Sequence, residues 1–452
     1  MILEQILTRD LGCAAYVVGC DHAGEAIVVD PPLHVQPVLD ACDRYDLRLV
    51  GVIETHTHAD HVAGHGVLAA SLGTWIATHP LGRPGYPSRP LEDGDRIVLG
   101  QVSLEVLHTP GHRPEHCCIA VADLERGEDP WILLTGDSLF VGDVARPDLA
   151  VGGGEGAEGL YRSLHRRLAG LGDGVEVFPG HVAGSACGRA MSARTSTTLG
   201  FERRHNRMLA EMPSSEFVRL ANEGLAPKPP TMTRVVELNR GPLIEQEPTA
   251  RARDRVPPDT QLLDVRPAAD VAAGHIAGTI GVPVSVTGFA NRAGFVLDLE
   301  REVTVLAASP QEGADAVRLL AAVGFSELSL IDSGLPSGVP LESFRVTPAS
   351  DLDDPDLQVL DVREPDEQAD TVPGALCVPY RDLARADLSA LDPTQPVATV
   401  CNSGVRAAIA ASMLARRGFR DVRPVLEGGM PAYHTSVNRP KTRTATRDES
   451  RF

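Results

Sequence analysis

The sequence of 452 residues lacks several features that would each place it in a special class of protein. No run approaches the roughly 18 apolar residues that a membrane span needs, so no membrane partner is expected. The N-terminal stretch carries Glu4, Arg9 and Asp10 among its apolar residues, so a secretory signal is not expected. The eight cysteines include no CxxC pair, a pattern typical of reduced thiols rather than a disulfide framework. A cytoplasmic location is therefore predicted.

Positive charge is also scarce, because 42 Lys and Arg residues stand against 61 Asp and Glu residues, for a formal net charge of -19. An acidic surface repels phosphate backbones, so nucleic acid is not expected as a partner. The glycine-rich segment "VGGGEGAEG" (151–159) follows no predicted strand and lacks a phosphate-loop lysine, so nucleotide binding is not expected either. The chain is too long for one hydrophobic core, which predicts several globular domains.

Apolar strand-like runs alternate with histidine-bearing loops from the N-terminus to about residue 205, which predicts a mixed α/β domain. Eight of these runs end in turn or polar residues: "AIVVD", "LRLVGVIE", "TWIATH", "RIVLG", "VSLEVLHT", "CCIAVAD", "WILLTGD" and "VEVFPGH". A predicted helix at "PSSEFVRLANEG" and the extended connector "PKPP" (227–230) then lead to the rest of the chain.

The remainder of the chain contains an internal repeat. "LLDVRPAADVAAGHIAGTIGVPV" (262–284) matches "VLDVREPDEQADTVPGALCVPY" (359–380), and each is followed by a strand, a loop and a helix that ends at Gly-Phe. A repeat of about 95 residues is too long for a solenoid unit, so two copies of a small α/β domain are predicted. The domains expected are 1–250, 251–345 and 346–437, and the segment 438–452 is predicted to be disordered because it has little apolar content.

The stretch "THTHADH" (55–61) places three histidines and an aspartate directly after the apolar run "LRLVGVIE". Three further candidates follow apolar runs beside glycine, namely His112 in "HTPGH", Asp137 in "LLTGDSLF" and His181 in "FPGH". Imidazole and carboxylate groups are suitable ligands for zinc, iron or manganese. The pattern therefore predicts a metal site drawn from seven residues: His56, His58, Asp60, His61, His112, Asp137 and His181.

This order of motifs resembles the metallo-β-lactamase superfamily, in which HxHxDH is followed by a histidine, an aspartate and a last histidine. The resemblance covers about residues 1–205 and implies an αββα sandwich with the metal site at one edge of its two sheets. Most members of the superfamily hydrolyse esters, amides or thioesters with two zinc ions, as glyoxalase II does. One branch, the persulfide dioxygenases, holds a single ferrous iron instead.

The repeated domains resemble rhodaneses in their "LDVR" and "GHIAGTIGVPV" segments. In the second copy "CNSGVR" places Cys401 between a predicted strand and a helix, where backbone amides and the helix N-terminus stabilise a thiolate or a persulfide. Arg406 adds a fixed positive charge. The C-x4-R loop is one residue shorter than the loop of cysteine phosphatases, which favours sulfur transfer. Ungapped alignment puts Ala307 opposite Cys401 and Glu312 opposite Arg406, so the first copy is expected to be silent.

A dioxygenase, a silent rhodanese and an active rhodanese in this order resemble the bacterial persulfide dioxygenase–rhodanese fusion proteins of sulfide detoxification. The resemblance implies an α/β fold: an αββα sandwich followed by two small rhodanese-like domains with central parallel sheets. It implies one Fe(II) per chain, held by His56, His112 and Asp137, with zinc as the alternative metal. The implied partners are a low-molecular-weight thiol persulfide, O2, and thiosulfate or sulfite, in a homo-oligomer.

The other motif positions have two interpretations. The resemblance to persulfide dioxygenases implies that His58, Asp60, His61 and His181 hydrogen-bond to the site and orient it, without a second metal. The alternative is a dizinc thioester hydrolase of glyoxalase II type, in which they bind the second zinc and the rhodanese domains are accessory. Arg146, in "GDSLFVGDVARPDL" (136–149), lies where the branch keeps an arginine near the substrate pocket, with a loop salt bridge as its alternative role.

Two questions stay open at the level of sequence. The carrier thiol is glutathione, coenzyme A, bacillithiol or mycothiol, since no residue is diagnostic of one. The direction of the rhodanese reaction is not fixed either. A further alternative makes the C-terminal half a protein-docking module, and the intact pair of Cys401 and Arg406 argues against it.

Overall fold

The structure is a computed structural model of the chain, and it describes residues 1–183, 188 and 191–437. The expected disordered segment 438–452 lies outside the described residues. Within the described part of the chain, no helix is both long and apolar enough to cross a membrane. The chain divides into two compact units, and the first of them comprises Met1–Arg251, Val286–Glu302 and Ala314–Leu328. The second unit comprises the segments between these and the rest of the chain.

Two six-stranded sheets form the core of the first unit. Their strands, in chain order, are β1 (Ile2–Thr8), β2 (Cys13–Cys20), β3 (Glu25–Val29), β4 (Arg48–Ile53), β5 (Trp75–Thr78), β6 (Arg89–Pro90), β7 (Arg96–Leu99), β8 (Val102–His108), β9 (Cys117–Asp123), β10 (Ile132–Gly136), β11 (Glu176–Pro179) and β12 (Thr197–Thr198). The first sheet has the order β1-β2-β3-β4-β5-β6, antiparallel up to β3 and parallel beyond it. The second has the order β12-β11-β10-β9-β8-β7 and is antiparallel except between β10 and β11.

Apolar side chains at alternate strand positions join the two sheets into one buried core. Tyr16 and Val18 of β2 point inward, and so do Ile119 and Val121 of β9, because alternate residues of a strand share one face. Helices cover the sheets: α1 (Gln36–Arg44), α2 (His65–Leu72), α3 (Gly153–Arg162), α4 (Leu199–His205), α5 (Ser214–Ala221) and α6 (Thr231–Arg240). The outer face of the second sheet packs on α3 and α5. The expected αββα sandwich is confirmed.

The eight runs expected to be strands correspond to β3, β4, β5 and β7 to β11. Each run carries β-branched or other apolar residues and stops at a turn or polar residue, which is the combination that defines a strand in a buried sheet. The helix expected at "PSSEFVRLANEG" forms α5, which begins at Ser214 without a side-chain cap. Sequence patterning therefore accounts for most of this unit.

The repeated region contains strands β13 (Arg251–Ala252), β14 (Gln261–Asp264), β15 (His275–Ile276), β16 (Ile280–Gly281), β17 (Val303–Leu306), β18 (Leu328–Ile331), β19 (Leu341–Glu342), β20 (Gln358–Asp361), β21 (Leu376–Cys377), β22 (Val397–Val400) and β23 (Val422–Pro424). Its helices are α7 (Ala268–Ala273), α8 (Phe289–Val296), α9 (Pro310–Ala322), α10 (Val405–Arg416) and α11 (Gly429–Val437). The first copy has the strand order β16-β14-β17-β18, which the second repeats as β21-β20-β22-β23. The sheet of the second copy, β21-β20-β22-β23, is parallel throughout.

The "LDVR" motif of both copies has one structural role. Asp264 ends β14 and accepts hydrogen bonds from the Arg266 guanidinium, and Asp361 ends β20 and accepts the same bonds from Arg363. Both carboxylates are fully buried, and a buried carboxylate is stable only when it is paired. The repeat therefore preserves an ion pair at the end of the central strand.

Helix α8 and most of helix α9 pack in the first compact unit, whereas helix α7 and most strands of the first copy belong to the second. The Asp10 carboxylate accepts hydrogen bonds from the N–H groups at the start of α8, including Phe289 at 2.9 Å. The Val62 N–H donates to the Ala322 carbonyl at the end of α9, at 2.7 Å. The domain boundaries at 250 and 345 stay predictions, and these contacts cross the boundary at 250.

Candidate metal centre and sulfur-transfer loop

Three side chains from three strand ends direct unpaired atoms toward one position. His56 follows β4, His112 follows β8 and Asp137 directly follows β10. The Asp137 Oδ2 atom lies 3.4 Å from His112 Nε2 and 3.9 Å from His56 Nε2. All three atoms are buried without a hydrogen-bond partner. Because buried polar atoms are nearly always paired, three converging unpaired acceptors fit a metal cation bound between them.

A hydrogen-bond relay fixes the ring orientation of His56. The Thr55 hydroxyl donates to Asp30 Oδ2 at 2.7 Å, so its oxygen is left to accept from His56 Nδ1, at 2.9 Å. The proton on Nδ1 leaves the Nε2 lone pair directed at Asp137. Burial, reinforced by the neighbouring His58, lowers the pKa of His56 well below its ordinary value. The ring is therefore neutral, as a metal ligand must be.

A backbone carbonyl fixes the ring orientation of His112. The His112 Nδ1 lies 2.9 Å from the Arg146 carbonyl oxygen, which can only accept, so Nδ1 carries the proton. Burial lowers the pKa of His112 as well. Its Nε2 is thereby also a neutral donor for a metal.

Asp137 is held on both sides. Its Oδ1 lies 2.6 Å from His181 Nδ1, and its N–H donates to His116 Nε2 at 2.9 Å. Burial opposes ionisation of Asp137, but the charge and hydrogen bond of His181 lower its pKa to about 2. The preceding residue is Gly136, with φ of 45°, where a Cβ would lie 2.7 Å from both His116 Nε2 and Thr55 Oγ1. Only glycine allows this close approach.

His58 does not join the triad. Its Nε2 lies 3.1 Å from Glu54 Oε2 and 3.2 Å from Asp30 Oδ1. Burial opposes protonation of His58, but Asp30 and Glu54 raise its pKa well above the ordinary value. Its ring therefore faces these two carboxylates, while His56 and His112 face Asp137 Oδ2.

The remaining motif residues, Asp60, His61 and His181, surround Cys13. Asp60 Oδ2 lies 2.7 Å from His181 Nε2 and 3.3 Å from His61 Nδ1. The Cys13 Sγ lies 3.1 Å from the same carboxylate oxygen. Motif spacing does not identify Cys13, because this residue lies on β2, far from the motif in sequence.

His116 is a second residue that motif spacing did not identify. It is fully buried, and its Nδ1 lies 3.1 Å from the Thr109 carbonyl oxygen while its Nε2 accepts from Asp137. Burial lowers the pKa of His116 to about 3, so the ring stays neutral and keeps its acceptor. Its position four residues after His112, at the start of β9, is the only signal that the sequence offers.

Arg146 forms a loop salt bridge, which is the alternative role that the sequence allows for it. Its guanidinium donates to Asp148 Oδ1 at 2.7 Å and to Asp148 Oδ2 at 3.0 Å, and the side chain is buried. Through its carbonyl it also orients His112. Its contact with substrate stays a prediction.

The second candidate site is the loop that follows β22. Cys401 directly follows this strand and is fully buried, and the Gly404 N–H donates to its Sγ at 3.1 Å. Helix α10 begins one residue later. Gly404 has φ of 90°, and a Cβ there would lie 1.9 Å from the Leu426 carbonyl oxygen. The loop therefore requires glycine, and the Gly404 N–H faces the position of a thiolate or persulfide at a helix N-terminus.

Glu367 binds the guanidinium of Arg406, the positive charge of this loop. The Arg406 guanidinium donates to both Glu367 oxygens, at 2.5 and 2.8 Å, and the Asn402 amide donates to Glu367 Oε1 at 2.7 Å. Burial opposes the charge on Arg406, but Glu367 and Cys401 raise its pKa above an already high value. The motif analysis found Arg406 but not Glu367, which lies on a separate segment.

The first copy has different groups at the matching positions. Ala307 directly follows β17 and is buried, as Cys401 is after β22. The Glu312 carboxylate accepts a hydrogen bond from the Ala308 N–H at 3.0 Å. A carboxylate thus occupies the loop where the second copy directs amides at sulfur.

Known families match both parts of the chain. The pattern of the metallo-beta-lactamase superfamily matches residues 8–181, and that of the rhodanese-like domain matches residues 349–436. Human "Persulfide dioxygenase ETHE1, mitochondrial" is 30% identical over 241 residues, which cover 53% of this chain and 87% of that protein. A hydroxyacylglutathione hydrolase of Polaromonas sp. is 32% identical over 188 residues, which cover 40% of this chain and 66% of that protein.

A solved structure resembles more of the chain than the superfamily match covers. The crystal structure of a metallo-beta-lactamase from Staphylococcus aureus is 28% identical, with a TM-score of 0.66. The likeness covers 73% of this chain and 98% of that one. It therefore extends well beyond residues 8–181 and into the repeated region.

Proposed function

The chain belongs to the metallo-β-lactamase superfamily, as a persulfide dioxygenase-like domain joined to a C-terminal rhodanese domain, and we propose that it is an iron-dependent persulfide dioxygenase. It would oxidise a low-molecular-weight thiol persulfide with O2 to sulfite and thiol, in the cytoplasm, as part of sulfide detoxification. The observation that carries this proposal is the set of three buried, unpaired donor atoms on His56, His112 and Asp137.

Ferrous iron fits this donor set. His56, His112 and Asp137 would supply two imidazoles and one carboxylate, which is the donor set of non-haem iron oxygenases. The nearby carboxylates of Asp30 and Glu54 raise the pKa of His58, which disfavours this residue as a metal ligand. When bound, ferrous iron supplies open coordination positions and the electrons that O2 chemistry requires.

The protein's own groups prepare this site in three ways. The Thr55 hydroxyl and the Arg146 carbonyl hold the protons of His56 and His112 on Nδ1, so both Nε2 atoms stay available. His181 binds one oxygen of Asp137 and leaves the other for the metal. Burial keeps bulk water from the donor atoms. We also propose that Arg146 lies near the persulfide, as its position in the chain implies.

The second site would transfer sulfane sulfur. The Cys401 thiolate attacks the outer sulfur of thiosulfate, a sulfur–sulfur bond forms on Cys401, and sulfite leaves with the electron pair of the broken bond. A thiolate then attacks the Cys401 persulfide, takes its outer sulfur and regenerates the Cys401 thiolate. The Gly404 N–H and the Arg406 charge stabilise the anion at each stage. In reverse, the same steps combine sulfite and a persulfide into thiosulfate.

The test is metal content after anaerobic purification, joined to O2 uptake with glutathione persulfide or coenzyme A persulfide. We expect about one iron per chain, O2 consumption and sulfite formation. Persulfides of other thiols, compared under the same conditions, would identify the carrier. Light scattering of the purified protein would test the homo-oligomer that the family resemblance implies.

The alternative is a dizinc thioester hydrolase, which the similarity to the hydroxyacylglutathione hydrolase supports. A sulfur-transfer domain argues against it, because a thioester hydrolase has no use for sulfane sulfur. Two zinc ions per chain, hydrolysis of S-lactoylglutathione and no O2 consumption would establish the hydrolase and refute the dioxygenase.

A further inference from the structure

Arg113 differs from the other buried arginines in the described part of the chain. Arg146, Arg266 and Arg363 each donate hydrogen bonds from Nε and from a terminal nitrogen to a neighbouring carboxylate. Arg113 is as buried as these, at 3% exposure, yet only its Nε donates to a described residue, to Glu115 Oε1 at 2.7 Å. Its two terminal NH2 groups therefore have no acceptor among the described residues.

Glu115 explains how the charge of Arg113 is tolerated, but not why the terminal donors are unused. The Glu115 side chain is buried as well, and its Oε1 also accepts from the Thr57 N–H at 3.3 Å. Burial opposes ionisation of Glu115, but Arg113 lowers its pKa, so the two side chains form a buried salt bridge. Since buried donors are nearly always paired, the unused N–H groups indicate that Arg113 takes a further acceptor from a ligand.

The guanidinium of Arg113 lies close to the triad. Arg113 follows His112 directly in the chain, in a turn where its carbonyl accepts from the Gly111 and His116 N–H groups, at 3.3 Å each. Burial is the main cause of the low pKa of His56 and of His112, and the charge of Arg113 lowers both further, which requires the charge to be near both rings. A ligand bound at the triad is therefore also near Arg113.

A guanidinium edge with two available NH2 groups binds an anion that presents two oxygens. A pair of parallel N–H···O bonds fits a carboxylate or a sulfur oxyanion better than the single sulfur of a persulfide. The proposed dioxygenase reaction converts the outer sulfur of a persulfide to sulfite. The negative charge of sulfite must then be held near the Asp137 carboxylate, which repels it. A cation with donors available for oxygen offsets this repulsion.

We propose that Arg113 is an oxyanion-binding residue, which holds sulfite beside the triad through its two terminal NH2 groups while Glu115 fixes its Nε. The inference rests on the proposed dioxygenase function for the identity of the anion. A carboxylate of the carrier thiol presents the same pair of oxygens. The carrier, however, is joined through the inner sulfur and extends away from the reacting end, whereas Arg113 directly follows a metal ligand. Sulfite is therefore the expected occupant.

Sulfite binding without turnover provides the test. The full-length, metal-loaded protein is first reduced, so that Cys401 carries no sulfane sulfur, and inorganic sulfite is titrated anaerobically in a calorimeter. At equal metal content, we expect the sulfite Kd to rise at least about tenfold in Arg113→Met, because hydrogen bonds to a charged group are lost. Arg96→Met is the matched control, with the Kd of wild type expected. Arg96 also binds a glutamate, Glu105, but at an exposed position of β7.

Glu115→Gln separates anion binding from a purely structural ion pair. Glutamine keeps an oxygen for the Thr57 N–H but removes the charge that offsets Arg113, so we expect the sulfite Kd to stay equal or fall. Equal weakening of sulfite binding in Arg113→Met and Glu115→Gln would mean a structural pair and would overturn the proposal. The double variant Arg113→Met/Glu115→Gln leaves neither charge buried alone. It should bind sulfite at least about tenfold more weakly than wild type, so the test holds even if Arg113→Met does not fold.

Reduced glutathione, titrated in parallel, distinguishes the carrier carboxylate from sulfite. An unchanged sulfite Kd in Arg113→Met would overturn the proposal, and a raised glutathione Kd in its place would assign Arg113 to the carrier carboxylate. The outcome is separable from that of the dioxygenase proposal. If the wild-type protein consumed no O2 but bound sulfite through Arg113, only the dioxygenase would be refuted. If it consumed O2 and Arg113→Met bound sulfite normally, only the role of Arg113 would be.

Discussion

His116 shows how one buried side chain positions a proposed metal ligand, Asp137. It accepts a hydrogen bond from the Asp137 N–H, and its other nitrogen is held by the Thr109 carbonyl. The backbone of Asp137 therefore has a partner that leaves the carboxylate free to face the two histidines. Residues of this kind contribute to metal affinity without touching the metal.

Replacing His116 should weaken the metal site while leaving the fold in place. In His116→Leu the Asp137 N–H loses its acceptor, and we expect metal affinity to fall roughly 10- to 100-fold. Anaerobic titration of the metal-free protein with Fe(II) measures this, with circular dichroism as the check on folding. The control is His205→Leu, at an exposed position in α4. Equal affinities in wild type and His116→Leu would contradict this role.

Motif spacing predicted which residues gather at the site. It did not predict which of them face Asp137 and which face other carboxylates. The seven residues of the HxHxDH pattern and its followers do converge, because all follow strand ends at one edge of the sandwich. Spacing gave no reason for His58 to turn toward Asp30 and Glu54. It also gave no role to Cys13 or His116, since these join the site through sheet pairing and loop packing rather than through a local pattern.

At the scale of elements, the strand–loop–helix unit of the second rhodanese copy depends on its glycine. Gly404 and Gly418 lie at the two ends of α10 and have nearly equal φ, 90° and 89°. A Cβ at Gly404 would lie 1.9 Å from a carbonyl oxygen, whereas a Cβ at Gly418 meets nothing within 4 Å. Alanine at either position would therefore strain the backbone, but only alanine at Gly404 would also collide with a neighbouring carbonyl oxygen.

Gly404→Ala should abolish sulfur transfer, and Gly418→Ala should not. Both substitutions carry the cost of a left-handed backbone, about 1–2 kcal/mol, but only Gly404→Ala must also displace the backbone around Cys401. We expect at least a tenfold loss of thiosulfate:thiol transfer in Gly404→Ala and near-normal transfer in Gly418→Ala. Transfer assays and chemical unfolding measure the two effects. A comparable loss in both variants would show that strain alone matters.

The first copy should have no sulfur-transfer activity even when the cysteine and arginine that it lacks are restored. The ungapped alignment that puts Ala307 opposite Cys401 also puts Pro310 opposite Gly404, and α9 begins at Pro310. Proline fixes φ near −65°, so it cannot adopt the positive φ of Gly404. We expect no transfer by Ala307→Cys/Glu312→Arg in a Cys401→Ser background. Activity there would show that the loop tolerates proline.

Elements were the part of the fold that patterning predicted best. The eight strands of the first unit and the repeated strand order follow from apolar runs bounded by turns. Patterning could not predict that α8 and most of α9 pack in the first unit, because their apolar faces do not identify a partner. That information lies in long-range contacts, such as Asp10 with the start of α8.

At the scale of the whole molecule, the two candidate sites lie in different compact units. The triad belongs to the first unit and Cys401 to the second. The two reactions should therefore be separable by substitution.

Cys401→Ser should abolish thiosulfate:thiol transfer and leave O2 uptake with added persulfide unchanged. Serine cannot form a persulfide, whereas the donor atoms of the triad are untouched. Cys377→Ser is a control, because Cys377 is a half-buried cysteine in the same rhodanese copy. Both activities are measured on the same preparations. Simultaneous loss of the two activities in Cys401→Ser would contradict independent sites.

The packing of α8 and α9 bears on why a copy without a nucleophile persists. Deleting residues 252–345 would strip the first unit of two of its helices, including the one whose N–H groups bind Asp10. A chain shortened in this way would lose part of the first unit together with the first copy. The first copy thus contributes structure to the first unit whether or not it transfers sulfur.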